Sequence, residues 1–135
     1  MAGSTEYDLR YLRGVLFFNR GEYFEAHEVW EDLWHDTVGP ERRFIQGLIQ
    51  AAVCLYHAGN GNVLGSRRLF HSGCRYMLGF SDRHLGLDNV RFWDMMERTL
   101  ADFLADPSVT SATLRVDCLP KIALVPEPHC WPDDL

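Results

Sequence analysis

Residues 44–58 read FIQGLIQAAVCLYHA, and this stretch decides the fold. Fifteen residues pass without a Lys, Arg, Asp or Glu. At ~1.5 Å per residue they make a helix of ~22 Å. That is shorter than the ~20 residues a membrane span needs, so a buried core helix is predicted. Projected at about 100° per residue, Phe44, Ile45, Leu48, Ala51, Ala52, Leu55 and Tyr56 form a broad apolar face. Gln46, Gln50 and His57 lie on the opposite side, with Cys54 beside them. A solvated helix face normally carries Lys and Glu. A polar but uncharged stripe predicts a neighbour that covers and satisfies it.

The chain around this helix has 135 residues, 47% of them hydrophobic. That is enough for a core and too much for disorder, and the length predicts a single domain. A net charge of −6 argues against a general nucleic-acid binder, which presents a basic face. The charge is uneven. Between Gly21 and Pro40 stand six acids, Glu22, Glu25, Glu28, Glu31, Asp32 and Asp36, and no Lys or Arg. Arg67, Arg68, Arg75 and Arg83 stand against Asp82 alone between Ser66 and Arg83. The simplest expectation is that these segments face each other or water. Cys54, Cys74, Cys118 and Cys130 form no C-x-x-C pair, which removes support for zinc-ribbon and thioredoxin readings. The opening MAGSTEYDLR lacks the apolar run of a secretion signal. A cytoplasmic protein with four free thiols is therefore expected.

Apolar spacing predicts helices over 5–18, 23–35, 41–58, 63–78 and 89–104. Breaks fall at Asn19–Gly21, at Thr37–Gly39 and at Gly59–Asn62. Pro40 suits a first helical position, and Asn62 and Asp88 suit N-caps. Residues 79–87 read as a loop. Gly47, Gly65 and Gly73 cost helix stability and are expected where a neighbour packs closely. The expected class is all-α: a bundle of about five helices over residues 5–105, followed by an extended tail over 106–135. Pro107, Pro120, Pro126, Pro128 and Pro132 forbid a long helix there. Ile122, Leu124 and Val125 are the residues expected to pin this tail.

The strongest chemical constellation is Glu25-Ala26-His27-Glu28 with Glu31 and His35. His27, Glu31 and His35 recur at i, i+4 and i+8 along one side of a helix. His27, Glu28 and Glu31 could bind a divalent metal. The string departs from the H-E-x-x-H zinc motif, having Glu31 where the second His belongs. An amphipathic helix with a wet acidic face is the simpler account of the same residues. The Gln46, Gln50 and His57 stripe favours a site, because two antiparallel neighbours would enclose one polar cluster. Nucleophilic catalysis by Cys54 with His57 has weak support, since an apolar helix raises a thiol pKa. Arg67 and Arg68 could hold a phosphate or carboxylate, although such pairs are more often solvated.

The residues Phe18-Asn19, Tyr23-Phe24-Glu25-Ala26-His27-Glu28 with Glu31 and Trp34, Gln46-Gly47-Leu48-Ile49-Gln50-Ala51-Ala52 and Tyr56-His57 resemble the DUF309 family. Leu119-Pro120-Lys121-Ile122 is similar to that family's usual ending. The resemblance covers about Leu9 to Leu78 and implies a small all-helical prokaryotic protein. It implies no activity, substrate or cofactor. Gly21-Glu22-Tyr23-x-x-Ala26-x-x-x-Trp30 is more weakly similar to half of one tetratricopeptide unit, and no second unit is visible.

The expectation is therefore a binding module, with enzyme activity left open. His27, Glu28, Glu31, Gln46, Gln50 and His57 would line a site between the second and third helices for a small ligand or divalent metal. The alternative is a structural or protein-interaction domain whose cluster is a closed hydrogen-bond network. Neither nucleic acid nor membrane is expected as a partner.

Overall fold

The computed structural model describes residues 7–132. Helices α1 (Leu9–Asn19), α2 (Tyr23–Asp36), α3 (Pro40–Gly59) and α4 (Val63–Tyr76) follow one another and pack on their chain neighbours. A two-stranded hairpin, β1 (Arg83–His84) and β2 (Leu87–Asp88), leads into α5 (Asn89–Thr99) and the short α6 (Ala101–Leu104). One 3-10 turn, Val116–Cys118, interrupts an otherwise irregular C-terminal segment. The all-α bundle is borne out.

Each helix starts where local chemistry dictates. Asp8 caps α1 by accepting the Arg10 N–H at 2.8 Å. Thr5 and Glu6 of the expected first helix lie outside the described residues. Gly21 at φ 79° turns the chain into α2. Pro40 opens α3, Asn62 caps α4 through the Gly65 N–H at 2.9 Å, and Asp88 caps α5 through the Arg91 N–H at 3.1 Å. The expected fifth helix is broken at Leu100, whose N–H still bonds the Met96 carbonyl at 3.1 Å. Both Leu100 and Phe103 are fully buried, so the break lets each reach the core. The expected loop before α5 contains the hairpin, closed by Leu85 and Gly86 at φ 47° and 79°. Two positive φ values in succession are the signature of a tight hairpin turn. No Asn-Gly or Asp-Gly pair marked it in the sequence.

The core lies around α3. Phe44, Leu48, Ala51, Ala52 and Leu55 are wholly enclosed. One correction concerns the expected apolar face: Tyr56 is 40% exposed, whereas Cys54, placed beside the polar stripe, is fully buried. The Cys54 thiol donates to the Ser66 carbonyl of α4 at 3.2 Å. Gly47 faces the Met77 side chain, and Gly73 faces Trp93 of α5 and Gln50 of α3. Small residues thus mark the α3–α4 seam. Gly65 differs: a Cβ there would meet its own cap, Asn62. Between α1 and α2, Gly14 leaves room for the Trp30 indole, which fills the space a Cβ would take. Trp30 is fully buried and its Nε1–H donates to the Tyr11 carbonyl at 3.1 Å.

The tail is a strap. Asn19 pairs with the Ile122 backbone twice, donating to its carbonyl at 2.9 Å and accepting its N–H at 2.7 Å. Lys121 Nζ reaches the Asn19 carbonyl at 2.6 Å, and the Tyr7 hydroxyl donates to the Pro126 carbonyl at 2.6 Å. Ile122 and Leu124 are buried as expected; Val125 points outward, but its N–H holds the Gly86 carbonyl at 2.9 Å. The four cysteines are free.

Two outcomes follow for stability. Gly14→Ala gains ~1 kcal/mol of helix propensity but drives a methyl into an indole that is fully enclosed and hydrogen-bonded. A net loss of about 1–3 kcal/mol is expected from overpacking. Gly47→Ala meets only the flexible Met77 thioether, 2.7 Å from the added carbon, and should cost less than Gly14→Ala. Denaturant midpoints of the two variants check the order, and equal losses would contradict it.

The second outcome concerns alkali. Burial pushes the Cys54 thiol up to about 12 from 9.0, and the Tyr23 phenol up to about 12 from 10.0. Burial also raises Tyr11, which donates to the Leu85 carbonyl at 2.9 Å. The unfolded chain loses these protons first, so the folded state is favoured below about pH 9 and loses that advantage as pH climbs through about 12. Melting temperature should fall between about pH 8 and about pH 10.5; a flat profile would count against the burial of these groups.

Candidate functional site at the α2–α3 seam

The buried stripe of α2 is Tyr23, Ala26, Trp30 and Leu33. Fixing that stripe inward sends Phe24, Glu28 and Glu31 to solvent, with His27 on the border. At the near end of α3 the same logic leaves Tyr56 outside. The Phe24 and Tyr56 rings meet across the seam at 5.4 Å, although they are 43% and 40% exposed. His27 lies 5.1 Å from Phe24, and His57 lies 6.0 Å from Tyr56. Four rings therefore run His27–Phe24–Tyr56–His57 over the joint between two helices.

Phe24 and Tyr56 border an open cleft of about 570 Å³ at the chain turns. Phe24, Tyr56, Tyr23 and Leu55 form its apolar wall, Glu22 and Glu25 supply the acidic groups, and Leu114 of the strap closes one side. No Lys or Arg lines it.

The six residues expected to form one cluster divide. Glu28 and Glu31 are exposed and make no side-chain hydrogen bond or ion pair among the described residues. His27 turns back on its own helix, its Nδ1 3.0 Å from the Phe24 carbonyl. Gln46, Gln50 and His57 are half-buried rather than enclosed. Two of these lean toward α4: Gln50 packs near Gly73, and His57 Nδ1 lies 3.4 Å from the Asn62 amide. The covering neighbour is thus α4 and not α2 at those positions. Gly47 and Cys54, each a small residue beside the polar stripe, were the signal for a close helix there. Among the described residues no three His, Cys, Asp or Glu side chains group as a metal site. His27, Glu28 and Glu31 accordingly do not converge.

Phe24 and Tyr56 escaped the sequence reading for a simple reason. Tyr56 projects onto the border of the apolar face, and an aromatic ring there is ordinarily core. Phe24 was the better clue, because it stands among acids on the wet side of α2.

Two of the arginines are committed elsewhere. Arg10 holds Asp36 at 2.7 Å and the Asp32 carbonyl at 3.3 Å, tying α1 to α2. Arg67 gives its guanidinium to the Phe103, Asp106 and Val109 carbonyls at 3.1–3.4 Å. It clamps the segment after α6 and is not a free anion holder, and the acidic and basic stretches do not pair with each other. Cys54 and His57 form no couple: the thiol is buried against Ser66 and held far above the neutral range by burial.

No helix among the described residues is long and apolar enough to cross a membrane. The uncharacterized protein YpuF of Bacillus subtilis (strain 168) is 35% identical over 86 residues, covering 62% of this chain and 49% of YpuF. The chain thus spans about half the length of that curated relative. A conserved hypothetical protein of Thermus thermophilus, known from a crystal structure, is 28% identical with a TM-score of 0.60. That match covers 66% of this chain and 93% of the other. The resemblance carried by Tyr23–Glu28 and Gln46–Ala52 is borne out: residues 11–69 match the family described as Domain of unknown function (DUF309).

Proposed function

We propose that this chain is a binding module and that its site is the outer seam of α2 and α3. The ligand is a small organic cation with an apolar body. The observation that carries this reading is the exposed Phe24–Tyr56 pair at the rim of a cleft that holds Glu22 and Glu25 and no Lys or Arg. Exposed ring faces attract cations by about 0.5–1 kcal/mol each, and a nearby carboxylate adds long-range attraction. His27 and His57 flank the aromatic pair, and Glu28 and Glu31 stand further along the exposed side of α2, as the polar groups that would orient a ligand longer than the cleft; Gln46 and Gln50 do not belong to this set. Exposure of Glu28 and Glu31 favours this reading over a closed structural network. The buried thiol of Cys54 favours binding over nucleophilic turnover.

Spermidine and tetramethylammonium are suitable probes, with Mn²⁺ and Zn²⁺ tested beside them at matched ionic strength. A saturating ligand at ~100 times its dissociation constant stabilises the fold by ~2.7 kcal/mol. Thermal melts should show that saturable rise with an organic cation. The Phe24→Leu/Tyr56→Leu double variant keeps apolar bulk and removes both rings, and should weaken binding by ~1–2 kcal/mol, or roughly tenfold. Glu28→Gln and Glu31→Gln should leave the unliganded melt unchanged or raise it, because removing one of two neighbouring like charges relieves repulsion. Absence of any organic-cation response in the wild type would end this proposal, while a response to Mn²⁺ or Zn²⁺ alone would return the site to a metal.

A further inference from the structure

A second cleft, on a different face, carries the opposite charge. It lies between the first turns of α3 and the last turn of α4, has a volume of about 270 Å³, and is lined by Arg43, Ser72, Arg75 and Tyr76. Ser72, Arg75 and Tyr76 stand at i, i+3 and i+4 and so share one side of α4. Arg43 comes from α3 and is fixed in two ways. Its Nη2 donates to the Arg75 carbonyl at 2.9 Å, and its guanidinium lies over the Tyr76 ring at 5.1 Å. A guanidinium held in place loses little freedom when it meets a ligand.

The cleft has donors and nothing to receive them. Arg75's guanidinium, the Ser72 hydroxyl and the Tyr76 hydroxyl make no hydrogen bond or ion pair among the described residues. No carboxylate lines the cleft, in a chain with 19 acids. Two guanidinium groups at one cleft repel each other unless an anion lies between them. Arg43 alone could be explained as a cap on the C-terminal carbonyls of α4. Arg75 stands in the last turn of α4, where its charge suits the helix dipole, but no hydrogen bond or ion pair commits its guanidinium among the described residues.

We infer that Arg43, Arg75, Ser72 and Tyr76 bind the phosphate group of a small phosphorylated molecule. Paired guanidinium groups match phosphate oxygens with parallel N–H donors, and the two hydroxyls supply further donors to the same oxyanion. The site is independent of the α2–α3 seam.

Side-chain Nε–Hε resonances of Arg43 and Arg75 report directly on the cleft. Sodium phosphate is titrated into the full chain at fixed ionic strength, with sodium acetate and sodium chloride as comparison anions. Saturable shifts of both resonances with phosphate, and none with acetate or chloride, are expected. Arg75→Gln removes no intramolecular contact, so it should fold normally and bind phosphate about tenfold more weakly. Arg91→Gln, on the exposed side of α5, should bind as the wild type does. The Phe24→Leu/Tyr56→Leu variant should also retain phosphate binding, which separates this site from the seam. Equal, unsaturable shifts with all three anions would overturn the inference, as would undiminished phosphate binding by Arg75→Gln.

Discussion

The indole of Trp30 is the fixed point of this structure. A buried N–H without an acceptor costs ~1–3 kcal/mol, and the acceptor here is the Tyr11 carbonyl across the helix joint. To reach it the ring must lie in the notch left by Gly14. That single geometry sets the distance between α1 and α2 and the rotation of α2 about its axis. The rotation then determines which α2 residues look outward. Phe18, 5.9 Å from Trp30, carries the same packing on to Tyr23 at 5.2 Å and to Phe92 of α5 at 5.6 Å. The exposed row of Phe24, Glu28 and Glu31 is thus a consequence of how an interior ring is satisfied.

The two clefts share a design in which interior constraints hold surface groups still. Tyr56 is presented because its neighbours Leu55 and Ala52 are wholly buried in α3. Arg43 is presented because one of its nitrogens is spent on a helix-end carbonyl. Acids and aromatics gather where α2 meets α3, whereas arginines, a serine and a tyrosine gather where α3 meets α4. Both seams use the same central helix, so its charge-free core stretch separates two surfaces of opposite sign.

Much of the fold was legible because periodicity and punctuation agreed. Pro40, Asn62 and Asp88 act at the helix starts assigned to them, and the run from Phe44 to Leu55 is the core. The hairpin at Arg83–Asp88 was not legible, since two-residue strands have no pattern to detect and Leu85 is an unusual residue at positive φ. The break at Leu100 was hidden because Leu100 and Phe103 continue the apolar spacing of α5. At the polar stripe of α3 the need for a covering neighbour was legible, but Gln50 and His57 lean toward α4 rather than the expected α2. A helix wheel shows that a stripe needs cover; it does not say on which side the cover stands. Gly47, Cys54 and Gly73 held that information, because only small side chains let two backbones come close.

The Asn19–Ile122 clasp joins positions 103 residues apart. The main helix pairs, α1 with α2, α2 with α3 and α3 with α4, are chain neighbours that meet with little loop entropy to overcome. The clasp instead encloses most of the polypeptide. Helical hairpins assemble on the fast end of the folding scale and long-range contacts on the slow end. The clasp is therefore the last piece to lock, and it locks beside the turn that leads into α2. During synthesis the four-helix body emerges well before Ile122, so the nascent chain carries an uncovered strip where Ile122 and Leu124 will lie. Until the strap arrives to cover it, that strip is open to other partners.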